Sequence, residues 1–179
     1  PEMAANEVRE SRYIFEGRAL KLRLDTVVTP DGRVTSREIV EHDASIAVVV
    51  VDGEHIVLVR QYRDPVGMDL LEVPAGGIEP GEEPVAAAQR ELAEEIGYEP
   101  GTVTRLGGIY STPGFCTGYM HLFLATDMAT KRLYAEDTAA ITVVRVPKDE
   151  IPGLIASGEI QDAKSVAALL QYLGGITAD

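Results

Sequence analysis

The sequence predicts a mixed α/β fold of the α+β kind, with a mixed sheet lying between helices. Three observations carry that expectation. Residues 45–51, SIAVVVV, form a nearly continuous apolar run, which suits a strand buried on both faces. Leu20, Leu22 and Leu24 alternate with Lys21, Arg23 and Asp25, the period of a half-buried strand. Between Pro84 and Gly97 the apolar residues instead recur at the helical period. Strand-like and helix-like segments then alternate without the regular rhythm of a βαβ array. A chain of 179 residues, 45% of them hydrophobic, suits one domain with a small extra lobe.

Taken in order, residues 1–11 read as a polar tail with no signal-peptide core. Residues 12–43 read as a small antiparallel β lobe. In it, Thr29-Pro30-Asp31-Gly32 turns the chain from the leucine-alternating run into Val34–Glu41. Residues 44–179 read as the main domain. There Asp52-Gly53 signals a hairpin between 45–51 and His55–Arg63. Leu70, Leu71 and Val73 form a short strand, and Pro74, Gly76, Gly77, Pro80 and Gly81 break into a loop. Pro84 suits a first helical turn, with Glu82 and Glu83 at the positive end of the dipole and Gly97 as the stop. Val85, Ala88, Leu92 and Ile96 make the core-facing stripe. Residues 102–110 and 119–125 are strand-like, 127–139 a loop, and Ile141–Val146 a strand. After Pro147 a helix-like stretch is interrupted at Pro152-Gly153. Residues 162–173 form a cleaner helix, with Val166, Leu169, Leu170 and Leu173 on one face and Gly174-Gly175 ending it.

On the first helix Glu91, Glu94 and Glu95 share a face at i, i+3 and i+4. Like charges at this spacing cost roughly 0.2–0.5 kcal/mol per pair. Two readings are open: a solvated acidic face with Arg90 as counter-charge, or oxygen ligands for Mg²⁺ or Mn²⁺. The formal charge of −13 argues against a nucleic-acid backbone or an anionic membrane as partner. The single cysteine, Cys116, excludes an internal disulfide and points to a reducing, cytoplasmic compartment. No run of 18 apolar residues marks a transmembrane helix. Neither His42 nor His55 has a partner at metal-ligand spacing.

From Gly76 the chain reads G-x5-E-x7-R-E-U-x-E-E-x-G-U, with U apolar: Gly76, Glu82, Arg90, Glu91, Leu92, Glu94, Glu95 and Gly97 fall in register, and Tyr98 takes a usually aliphatic last slot. This resembles the Nudix box. The resemblance implies a Nudix-like α/β/α sandwich and hydrolysis of a nucleoside diphosphate linked to another group. It also implies Mg²⁺, with Mn²⁺ as a substitute. Glu91 and Glu95 would be the main metal ligands, Glu82 and Glu94 supporting ligands, and the Ala75 carbonyl a further one. Arg90 would orient the glutamates.

The stretch from Val59 to Pro84 is similar to the ADP-ribose pyrophosphatase branch. There an arginine at the position of Arg63 binds the diphosphate, with Arg60 a second candidate; both also read as charges at a strand end. In that branch an N-terminal sheet is exchanged across a homodimer and helps to hold the adenine. Tyr13 and Phe15 are candidates for stacking on it, and equally for core packing. The loop STPGFCTGYM resembles the branch's substrate loop and brings Gly114 and Phe115 forward, with Gly118 standing where an acid is usual. The general base is open between Glu136 or Asp137 and the box residues Glu94 or Glu95. The expected reaction is ADP-ribose to AMP and ribose 5-phosphate. The alternatives are another nucleoside diphosphate sugar or dinucleotide, and a binding module with little turnover.

Overall fold

The computed structural model describes residues 5–130 and 140–176, which fall into two compact units. The first unit takes the chain up to Asp43 together with Tyr110–Tyr119. Its three strands, β1 (Glu7–Glu16), β2 (Lys21–Val28) and β3 (Val34–Glu41), form an antiparallel sheet in that order. Residues 7–11, read from sequence as tail, are therefore strand. Gly32 turns β2 into β3 with φ +83°, a conformation that favours glycine. The segment 110–119 is tied to β3: Val40 N–H donates to the Phe115 carbonyl at 2.7 Å, and Thr117 N–H to the Val40 carbonyl at 2.9 Å.

The leucine stripe of β2 is not its buried face. Asp25 and Val27 are buried, whereas Leu22 and Leu24 are half-buried and Leu20 is exposed. The reason is electrostatic. Arg23, on the same face as Asp25, pairs with both Asp25 and Glu41, so the inward charges are satisfied within the sheet.

The second unit is a mixed sheet between helices. Its strands are β4 (Ser45–Asp52), β5 (His55–Arg63), β6 (Met68–Glu72), β7 (Ala75–Gly77), β8 (Tyr98–Tyr110), β9 (Tyr119–Thr130) and β10 (Ile141–Pro147). The order is β10-β5-β4-β9-β8, with β6 beside β5 and β7 beside β4. β4 runs parallel to β9 and antiparallel to β5 and β7. The apolar run of β4 is buried on both faces, from Ile46 to Val50. Ile46, Val48 and Val50 meet helix α1 (Pro84–Glu95), while Ala47 and Val49 meet the layer holding α2 (Ile151–Ser157) and α3 (Ala163–Leu173). That is the α/β/α sandwich the sequence implied. Among the described residues no helix is long and apolar enough to cross a membrane.

Several local expectations need correction. In α1 the buried residues are Ala87, Ala88, Leu92 and Ala93, while Val85 is exposed. Alanines on the contact side let the helix lie close to a valine-covered sheet. Ala75–Gly77, read as loop, pairs with β4 as a short strand. Pro152 does not break α2; it sits in the first turn, where its missing N–H has no intrahelical partner to lose. On α3 the buried face is Ser165, Ala168 and Leu169, with Leu170 and Leu173 exposed. Strand β9 continues to Thr130, through part of the stretch read as a loop.

Candidate active site

Strand β7 and helix α1 place the box side chains. Gly77 leads into a loop whose Glu79 N–H donates to Glu82 Oε2 at 2.9 Å. Arg90, one turn before the helix end, gathers three acids. Its Nε donates to Glu82 Oε1 at 2.9 Å, and its Nη2 to Glu82 Oε2 and to the Gly77 carbonyl, both at 2.9 Å. Its Nη1 donates to Glu91 Oε1 at 2.7 Å and to Glu94 Oε2 at 3.2 Å. Every donor nitrogen of that guanidinium is engaged, which raises its own pKa and holds the Glu82 carboxyl below its usual range.

Glu91 and Glu95 differ from the other two acids. The Glu91 carboxylate lies directly over Gly76, so that a β-carbon there would overlap it. Glu95 Oε2 accepts the Ala75 N–H at 3.2 Å. Burial raises the Glu91 carboxyl above its normal range, against the pull of Arg90. Burial, then the negative charge of Glu91, pushes Glu95 up to about 7.

Among the described residues no three acidic, histidine or cysteine side chains already converge as a metal cage. A pair of carboxylates against one backbone segment still fits Mg²⁺, which keeps several waters and takes one or two protein carboxylates with substrate phosphates. A divalent charge here would also offset the repulsion between Glu91 and Glu95. Glu82 and Glu94, like Glu91, are engaged by Arg90.

Arg63, at the end of β5, does not stand free. Its Nε and Nη2 donate to Glu72 Oε1 and Oε2 at 3.0 and 2.6 Å. Glu72 also accepts Lys164 Nζ at 2.6 Å, and Lys164 reaches Asp162 at 2.7 Å. Sequence reading missed Glu72 and Lys164. The signal was present: an acid inside the apolar run LLEVP must be buried, and a buried carboxylate needs a cation. Arg60 is paired with Glu159 at 2.5 Å.

On the first unit, Tyr13 and Phe15 are exposed and so are not core residues. The Tyr13 hydroxyl donates to Glu41 at 2.9 Å. Phe115 is exposed, and Gly114 has open space where a side chain would stand. His42 Nδ1 lies 2.7 Å from the Asp43 carbonyl oxygen, a local contact. Glu136 and Asp137 lie outside the described residues.

The NUDIX domain family matches residues 41–169, a span that contains β4 to β10, α1 and Lys164. The chain belongs to the Nudix family of pyrophosphohydrolases. Nudix hydrolases generally need a divalent metal ion, in keeping with the donor set on α1. A second family, the nucleoside diphosphate sugar hydrolase N-terminal domain, matches residues 7–40, the three-stranded sheet. The chain is 38% identical to an ADP-ribose pyrophosphatase of Bacillus subtilis, over 89% of this chain and 88% of that one. It is 37% identical to a methanol dehydrogenase activator of Bacillus methanolicus, over 92% and 90%. A crystal structure of an ADP compounds hydrolase superposes with a TM-score of 0.91 at 21% identity, covering 98% of this chain and 96% of the other; it shares the Nudix fold.

Proposed function

We propose that this Nudix enzyme hydrolyses the diphosphate bond of ADP-ribose, giving AMP and ribose 5-phosphate, with Mg²⁺ and with Mn²⁺ as a substitute. The observation that carries the reading is the pair of half-buried carboxylates, Glu91 and Glu95, held against the backbone of Ala75 and Gly76. Similarity to a relative named ADP-ribose pyrophosphatase over nearly the whole chain supports the choice of substrate.

Glu91, Glu95 and the Ala75 carbonyl would hold the ion, with Glu82 and Glu94 as supporting carboxylates. A bound divalent ion lowers the pKa of water and offsets phosphate charge. Arg90 fixes the rotamers of three box acids, so the site needs little reorganisation when substrate arrives. Arg63 has N–H donors that Glu72 does not occupy, and presents them to the diphosphate oxygens. The proton of the attacking water goes to a carboxylate: Glu136 or Asp137, or else Glu94 or Glu95. Phe115, Tyr13 and Phe15 offer exposed aromatic faces for the nucleoside, with Gly114 leaving room beside Phe115. Arg60 is held by Glu159 and takes a lesser part.

A second reading changes the substrate to another nucleoside diphosphate sugar. The family matched by residues 7–40 favours it, as does Gly118 in place of an acid. Product analysis with ADP-ribose, nucleotide sugars and dinucleotides, each with Mg²⁺ and then Mn²⁺, separates the two. AMP and ribose 5-phosphate from ADP-ribose, lost with Glu95→Ala while the fold is kept, is the expected result. Preferred turnover of another substrate would replace ADP-ribose, and no product from any would leave a binding module.

A further inference from the structure

Among the described residues Glu72 is the most deeply buried acid of the second unit, 1% exposed, and it stands between two cations from different parts of the chain. Its Oε2 is shared: Arg63 Nη2 and Lys164 Nζ both donate to it at 2.6 Å. Lys164 comes from the first turn of α3, where Asp162 holds it at 2.7 Å and also caps the helix by accepting the Ser165 N–H at 3.2 Å. Ser165 Oγ in turn accepts the Val73 N–H at 2.9 Å, next to Glu72. The start of α3 is thus fastened to the end of β6 by both a side chain and a backbone contact.

We propose that Lys164 is a positioning residue for the reaction: by sharing the Glu72 carboxylate, it sets the orientation and the residual positive charge that Arg63 presents to the diphosphate. The inference rests on the reading that Arg63 binds substrate. The chemistry follows from the donor count. A guanidinium has five N–H groups in a rigid plane. Glu72 takes the Nε and Nη2 edge, which fixes the plane and leaves Nη1 outside that pair. If Glu72 had Arg63 as its sole partner, the pair would be neutral. With Lys164 also on Glu72, and Asp162 balancing Lys164, the four groups are neutral together, but Lys164 takes a share of the Glu72 carboxylate, so Arg63 keeps more of its own charge for an anion at Nη1.

The test is a double-mutant cycle on hydrolysis of ADP-ribose with Mg²⁺ by the full chain. Lys164→Met is expected to lower kcat/KM by about tenfold, mostly through KM, and Lys164→Arg to recover most of that loss. In an Arg63→Ala background, Lys164→Met should change kcat/KM by less than about twofold. Should Lys164→Met fail to fold, Lys164→Gln serves: it keeps a polar group beside the Glu72 carboxylate, removes the positive charge, and should show the same dependence on Arg63. Equal losses in both backgrounds, or full activity of Lys164→Met, would overturn the positioning role while leaving Arg63 at the substrate. Full activity of Arg63→Ala would instead remove the assignment of Arg63 itself, and the positioning role with it.

Discussion

Gly76 is where the backbone and the chemistry come closest. Its φ is not in the left-handed region, so the glycine is not required by the turn; it is required by the Glu91 carboxylate that occupies the place of a side chain. That carboxylate is the tip of a flexible side chain and can move aside at low cost. Gly76→Ala should therefore change stability by less than about 1 kcal/mol. It should nonetheless cut turnover by roughly 10²-fold, because the displaced acid leaves the geometry shared with Glu95. A thermal melt beside a rate assay checks both halves, and equal loss of fold and rate would refute the separation. At this scale the sequence was informative where a pattern fixed spacing: Arg90 and its acids are neighbours on a helix, so their meeting follows from register. It was silent on Lys164, whose partner Glu72 lies 92 positions away and is met through tertiary packing alone.

Among the elements, the junction of β6 with α3 carries a pH signature. Burial by itself would raise the Glu72 carboxyl, but hydrogen bonds from Arg63 and the charge and hydrogen bond of Lys164 outweigh it and hold the group below its usual range. A carboxyl depressed in the folded state adds stability that is fully present above its unfolded pKa, near 4.3. That stability is lost as pH falls through the lower folded value. Glu72→Gln removes the term and leaves two cations around a neutral amide, at a cost of about 3 kcal/mol near neutral pH. The difference in melting temperature between wild type and Glu72→Gln should shrink as pH drops below 4. A constant difference down to acid would exclude the linkage. Element boundaries show the same division between local and tertiary information. β4 and β5 were legible because an unbroken apolar run can be satisfied only in the middle of a sheet. The buried faces of β2 and α3 were misread, since Arg23 and Ser165 are polar residues turned inward and satisfied by partners that periodicity does not see.

For the whole molecule, the open question is what covers the N-terminal sheet. A three-stranded sheet needs a buried apolar face to be stable. Here, among the described residues, Asp25 and Val27 are its buried members, and all ten residues of β1 are exposed. Val8, Ile14, Phe15, Leu20 and Val34 stand in solvent, an apolar surface of the kind that marks an interface. A second copy of the chain is the expected cover. The charge of −13 does not forbid it: residues 5–43 hold eight acids and seven bases, so the paired surfaces would be nearly neutral while the repulsion sits elsewhere. Light scattering during size exclusion should give twice the 19.3 kDa chain mass. Added salt should tighten the pair, because it screens the long-range repulsion and leaves apolar contact intact. Ile14→Glu with Phe15→Glu should return the single-chain mass and make the melting temperature independent of protein concentration. A wild type that runs as a single chain at every concentration and salt tested would mean that the sheet is completed by something other than a second copy.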